Sequence, residues 1–275
     1  VCQVKGGNPE SSVKWLRGGV TVSDFPVNNS SQRNADGTYD VTSTVIVTAR
    51  RSEDRVVYVC QAEHRTWTSP QNDSLELYLY LKPSEPVMSD PGNLQENATL
   101  SLTCRVSRCR PAATITWSGA GTYITTNTDD KTTETFNVTS AYNKTVTRQD
   151  NGATLQCTIT HPALISSVVT SRNLTVWFPP TSVSITNNKE VTAGDKLSLM
   201  CTTGTSNPIA NISWMNSTSV PTGEQSATLE SSGQYGGKIG YQNLTITSTR
   251  YMDGNIITCS AENPESTVPS VSDRV

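Results

Sequence analysis

Trp15, Trp117 and Trp214 each lie thirteen residues after a cysteine, namely Cys2, Cys104 and Cys201. A second cysteine follows each tryptophan, so that Cys2 and Cys60, Cys104 and Cys157, and Cys201 and Cys259 stand 58, 53 and 58 residues apart. Of the seven cysteines only Cys109 falls outside the pattern. A Cys–x12–Trp…Cys unit that returns about every hundred residues is an internal repeat, so one fold occurs three times.

The residues around these markers alternate. Leu100, Leu102, Cys104 and Val106 share one parity, and Ser101, Thr103 and Arg105 take the other. Leu197, Leu199 and Cys201 repeat the pattern. Val13 with Trp15, Ile115 with Trp117, and Ile212 with Trp214 do the same. A period of two with one apolar face is the pattern of strands packed in two sheets. Polarity comes from hydroxyls, 33 Ser and 40 Thr, with only 16% charged residues. Thr favours strands and Ser favours turns. The fold class expected is all-β, as three tandem antiparallel β-sandwiches.

The first domain is expected over 1–83, ending after Ser74–Leu79 at Lys82-Pro83-Ser84. The second, over 84–179, ends with Asn173–Phe178 before Pro179-Pro180, and the third covers 180–275. Cys2 belongs in a second strand, so the first domain should lack its N-terminal strand here. Short joints bearing proline predict a rod with limited hinge motion. Trp177 and Phe178 are candidates to seal the second joint, or else ordinary edge packing.

Longer motifs carry a resemblance. The second domain reads Arg110-Pro111-Ala112-Ala113-Thr114-Ile115-Thr116-Trp117, Asp150-Asn151-Gly152-Ala153-Thr154-Leu155-Gln156-Cys157 and His161-Pro162-Ala163-Leu164. It resembles the constant-type second domains of nephrin-, nectin- and kirre-like adhesion receptors of the immunoglobulin superfamily. The third, with Cys259-Ser260-Ala261-Glu262-Asn263, resembles intermediate-set domains, and the first carries Gly6-Gly7-Asn8-Pro9. The resemblance implies immunoglobulin-like sandwiches. It implies bridges Cys2–Cys60, Cys104–Cys157 and Cys201–Cys259 between the sheets, each covered by its tryptophan. Tyr58, two residues before Cys60, stands where a tyrosine-corner hydroxyl is expected, with Asp54 at the turn. Leu155 and Ile257 replace that tyrosine in the other copies, while Asp150-Asn151-Gly152 and Asp253-Gly254 keep the acidic turn.

Structural disulfides persist in oxidising compartments, so the chain is expected to be extracellular, secreted or at the cell surface. Glycosylation candidates agree: Asn28, Asn29, Asn72, Asn97, Asn137, Asn143, Asn173, Asn211, Asn216 and Asn243 each head an Asn-x-Ser/Thr triplet. Roughly five would arise by chance from this composition. Asn97 and Asn211 are expected to face away from the core. Cys109, read as lying in the turn after the Cys104 strand, is expected to be unpaired or intermolecular. Its alternatives are a reactive thiol, a partner outside the segment, or a buried free thiol.

Little points to chemistry. His64 and His161 have no neighbours at zinc-ligand spacing, and a framework role is expected for His161. Asp129-Asp130 reads as a solvated turn or a cation site. No phosphate-binding glycine loop, catalytic constellation, metal or cofactor is expected, nor a small-molecule substrate. The net charge of −3 lacks a basic run, so nucleic acid is not an expected partner. No apolar stretch approaches the ~18–20 residues of a membrane helix. The expected partner is protein, homophilic or heterophilic, with lateral self-association as one mode. The exposed face of the sheet holding each tryptophan, with Tyr78 and Tyr80, is the candidate contact surface. Alternatives are a secreted matrix or filament component, or the outer part of a receptor kinase or phosphatase.

Overall fold

Alternation becomes geometry in each repeat, which forms two facing antiparallel sheets. The computed structural model describes residues 1–186, 190–217, 221, 223–266 and 271–275. In the first sandwich Cys2–Gly7, Tyr39–Val45 and Val27–Arg33 form one sheet. Val20–Thr21, Ser12–Arg17, Val57–Glu63 and Gln71–Glu76 form the other, in that order.

The second sandwich orders Thr122–Asp130, Thr135–Thr145, Thr99–Cys109 and Val87–Met88 against Thr114–Trp117, Thr154–Thr160 and Val168–Asn173. A short parallel pair, Asn93–Gln95 with Thr175–Trp177, closes its base. The third pairs Val183–Thr186, Lys196–Thr203 and Lys238–Thr247, with Glu224–Gln225 and Leu229–Ser232 on the last of these. Opposite lie Asn211–Asn216, Ile257–Glu262 and Val271–Arg274. No helix among the described residues is long and apolar enough to cross a membrane.

Three bridges, Cys2–Cys60, Cys104–Cys157 and Cys201–Cys259, join the sheets. By loop entropy each stabilises its sandwich by roughly 4 kcal/mol. The second core is the largest, with Leu100, Leu102, Val138, Tyr142 and Ile159 around its bridge. The first is the smallest, with Trp15, Val22 and Tyr58 beside Cys60.

The tryptophan N–H needs an acceptor once it is inside. Trp15 Nε1 donates to Ser43 Oγ at 3.0 Å, and Trp117 Nε1 donates to Ser140 Oγ at 2.9 Å. Each serine lies directly across the ladder from the first bridge cysteine. In the third sandwich Gln242 takes that place opposite Cys201. There Trp214 Nε1 and Gln242 Oε1 are both buried without a partner among the described residues.

Two local expectations are corrected. Cys109 does not lie in a turn: it ends the strand Thr99–Cys109 and is fully buried. A bulge between Val106 and Cys109, with Arg108 at φ +55°, adds a residue and turns Cys109 back to the core. The Tyr58 hydroxyl donates to the side chain of buried Glu53, which Arg17 also contacts. Asp54 caps the local turn through its backbone N–H to Arg51 O, and its side chain serves the first joint.

Candidate interaction surfaces and joints

The first joint starts from a backbone bridge. Leu81 N donates to Arg110 O at 2.8 Å, and Arg110 N donates to Leu81 O at 2.9 Å. This places the Arg110 side chain over the end of the first sandwich. Its Nε and Nη2 donate to Leu79 O at 3.2 and 3.0 Å, and Nη2 also donates to Asp54. Asp54 accepts in turn from Leu79 N at 3.0 Å. The two side chains of the pair are 5% and 11% exposed. Such a pair has given up most of its hydration, so either charge left alone would be costly. The guanidinium carbons of Arg110 and Arg55 lie 4.0 and 4.5 Å from the Tyr78 ring centroid. Tyr78 therefore packs on the joint's two arginines while staying exposed, and Tyr80 is exposed as well.

The second joint is sealed by Phe178, which is fully buried and bridged to Asn207 through both backbone groups. Trp177 instead pairs with Gln95 in the parallel ladder and is half-buried. Asn151 ties the two sandwiches together. Its Oδ1 accepts from Val176 N at 3.0 Å and Asn207 Nδ2 at 3.1 Å, and its Nδ2 donates to Tyr235 O at 2.9 Å. Asn263 Nδ2 donates to Phe178 O at 2.8 Å. A Cβ on Gly237 would fall 2.9 Å from the Phe178 ring, so the close approach needs glycine there. Arg148, over the same ring, is gripped by Glu96 with Nε–Oε1 at 2.7 Å and Nη2–Oε2 at 2.6 Å. That bonding holds the Glu96 carboxyl below its ordinary range.

The outward faces of the tryptophan-bearing sheets differ. In the first sandwich Leu16 and Val59 are cross-strand neighbours, half-buried, with exposed Val57 two residues along. Lys14 and Glu63, in a 2.8 Å ion pair, and Gln61 border them. In the second sandwich the outward positions of the central strands are Thr114, Thr116, Thr154, Gln156, Thr158 and Thr160. The first face therefore combines an apolar strip with a polar rim, and the second is hydroxyl-covered.

Among the glycosylation candidates, Asn28, Asn72, Asn97, Asn173, Asn211 and Asn243 are exposed. Asn29 is exposed but accepts a bond from Ser43. Asn137, Asn143 and Asn216 are half-buried, and Thr218 of the Asn216 triplet lies outside the described residues.

The histidines serve the framework. His64 Nε2 lies 2.9 Å from Pro9 O, and His161 Nε2 lies 3.0 Å from Pro111 O. Each thus pins the loop that follows the first bridge cysteine's strand. Asp130 accepts from Thr132 N and Thr133 Oγ1 in a tight turn. No group of His, Cys, Asp or Glu among the described residues could hold a metal ion. The buried Cys109 thiol meets Phe136 O at 3.3 Å, and burial pushes its pKa up. Sequence reasoning missed Arg110 and Asn151 as joint residues, since nothing in their local patterns marks a partner in another sandwich.

Comparison with known proteins agrees with this architecture. Residues 1–71, 82–167 and 181–270 match the family described as CD80-like C2-set immunoglobulin domain. Human nephrin is 26% identical over 266 residues, covering 94% of this chain and 21% of nephrin. Human cell adhesion molecule 3 is 28% identical over 233 residues, covering 80% of this chain and 56% of that protein. The chain therefore spans only part of each relative. The three-domain ectodomain of mouse nectin-like molecule 4 superposes with a TM-score of 0.59 at 21% identity, covering 100% of this chain and 91% of that one.

Proposed function

Because the chain belongs to the CD80-like C2-set immunoglobulin domain family, we propose that it is a non-catalytic extracellular segment that mediates adhesion or recognition through protein–protein contacts. Its domain limits are 1–83, 84–179 and 180–275, and the ten Asn-x-Ser/Thr asparagines are its candidate glycan carriers. The outward face of the first sandwich carries the proposal. Leu16, Val59 and Val57 form an apolar strip rimmed by Lys14, Glu63 and Gln61, the make-up of a modest protein interface. Two joints held by backbone bridges and buried side chains support an array that docks as a stiff rod and loses little ordering entropy. Single contacts are then weak, and many copies presented together supply avidity. That one relative is named a cell adhesion molecule supports the same class of activity.

Beads coated with the chain should cluster, or adhere to cells that display a partner. Val57→Glu with Val59→Glu should abolish this while leaving the melting temperature within a few degrees. Unchanged clustering would remove this face from the proposal. Ordered filaments in solution without bead adhesion would favour a secreted structural protein.

A further inference from the structure

We propose that the first joint carries a binding cleft for a sulfated glycosaminoglycan. A cleft of about 540 Å³ opens beside the Leu81–Arg110 bridge, and four cations line it: Arg50, Arg51, Lys82 and Arg108. They come from three places in the chain, the turn before Glu53, the linker, and the bulge of the second sandwich. Arg51 ties these together, because its Nη2 donates to Lys82 O at 2.9 Å and to Arg108 O at 2.8 Å. The bulge is also what brings Arg108 here, through a backbone at φ +55° that also lets its N–H bond Asn137.

The cluster is uncompensated. At the same joint Arg110 has Asp54, and Arg55 has Glu76 and Glu134. No carboxylate lines the cleft, and none of the four cations has an ion-pair partner among the described residues. All four residues are exposed. Like charges held together by the fold raise a local positive potential that attracts anions. At about 0.1 M salt the Debye length is ~10 Å, so the overall charge of −3 is screened while the cluster acts as one. Guanidinium forks suit sulfate and carboxylate oxygens. A linear sulfated polysaccharide presents such groups in series, and the extracellular reading proposed above, on which this inference rests, places the joint where such polyanions occur.

The test is chromatography of the deglycosylated chain on immobilised heparin. Retention at about 50 mM salt, despite a pI near 5.5, is expected, with elution at higher salt. The variant Arg50→Ala, Lys82→Ala, Arg108→Ala should flow through, and its affinity for a heparin oligosaccharide should fall at least tenfold. Arg51 is kept because it holds the joint, and an unchanged melting curve confirms the fold. Unsulfated hyaluronan should bind neither form. Flow-through of the native chain, equal retention of the variant, or equal binding of hyaluronan would each overturn the proposal.

Discussion

Asp54 and Arg110 belong to different sandwiches, 56 residues apart in sequence, and they form one ion pair almost closed to water. Removing one partner leaves the other charged and dry. Arg110→Ala should therefore cost about 3–5 kcal/mol in chemical denaturation. It should also loosen the joint, read as a larger spread of dimensions by small-angle scattering. Adding Asp54→Asn should return part of the loss, since no lone charge then remains.

The three tryptophans give an internal control. Ser140→Ala strips Trp117 Nε1 of its acceptor and should destabilise the second sandwich by about 1–3 kcal/mol. Gln242→Ser introduces the serine that the other two sandwiches have, opposite Cys201 and near the unpartnered Trp214 N–H. It should stabilise the third sandwich by about 1 kcal/mol, read by its thermal transition.

Acid should weaken the second sandwich while its bridge stays intact. The Arg148 bonds lower the folded-state pKa of Glu96 below its ordinary 4.5. The unfolded chain therefore takes up its proton first, and the stabilisation is lost as pH falls from about 4.5 through the folded value. Glu96→Gln should flatten this part of a stability-versus-pH curve.

Cys109 should be inert in the native chain. Its thiol is fully buried and its pKa is raised by burial, so a thiol reagent should label it only after unfolding. Non-reducing peptide mapping should recover Cys109 as a free thiol and Cys2–Cys60, Cys104–Cys157 and Cys201–Cys259 as bridges. A native chain that couples readily through Cys109 would contradict this.

The sandwich framework was legible because its determinants are periodic. The Cys–Trp offset and the alternation of Leu100, Leu102 and Cys104 repeat a spacing that two packed sheets require. Cys109 reads as a turn residue because Ser107-Arg108 and Arg110-Pro111 around it are turn-like, and a bulge that carries the strand past Arg108 leaves no mark in composition. Asp54 looked like a corner residue since a carboxylate near the turn satisfies the local pattern equally well. Its partner is set by how two sandwiches stack, which no period records. The basic cleft was hidden for the same reason: Arg50 and Arg51, Lys82 and Arg108 form no charge run along the chain.

The two joints also fix a direction of assembly. At each, the base of one sandwich offers the residue after the turn, Asp54 or Asn151, to the loop at the head of the next, Arg110 or Asn207. One lock is ionic and the other is amide to amide. A chimera that exchanged the second and third sandwiches would set Asn207 against Asp54, leaving that carboxylate without its cation. Shuffling these units thus requires moving each head together with the base that precedes it, so the joint is the true cassette.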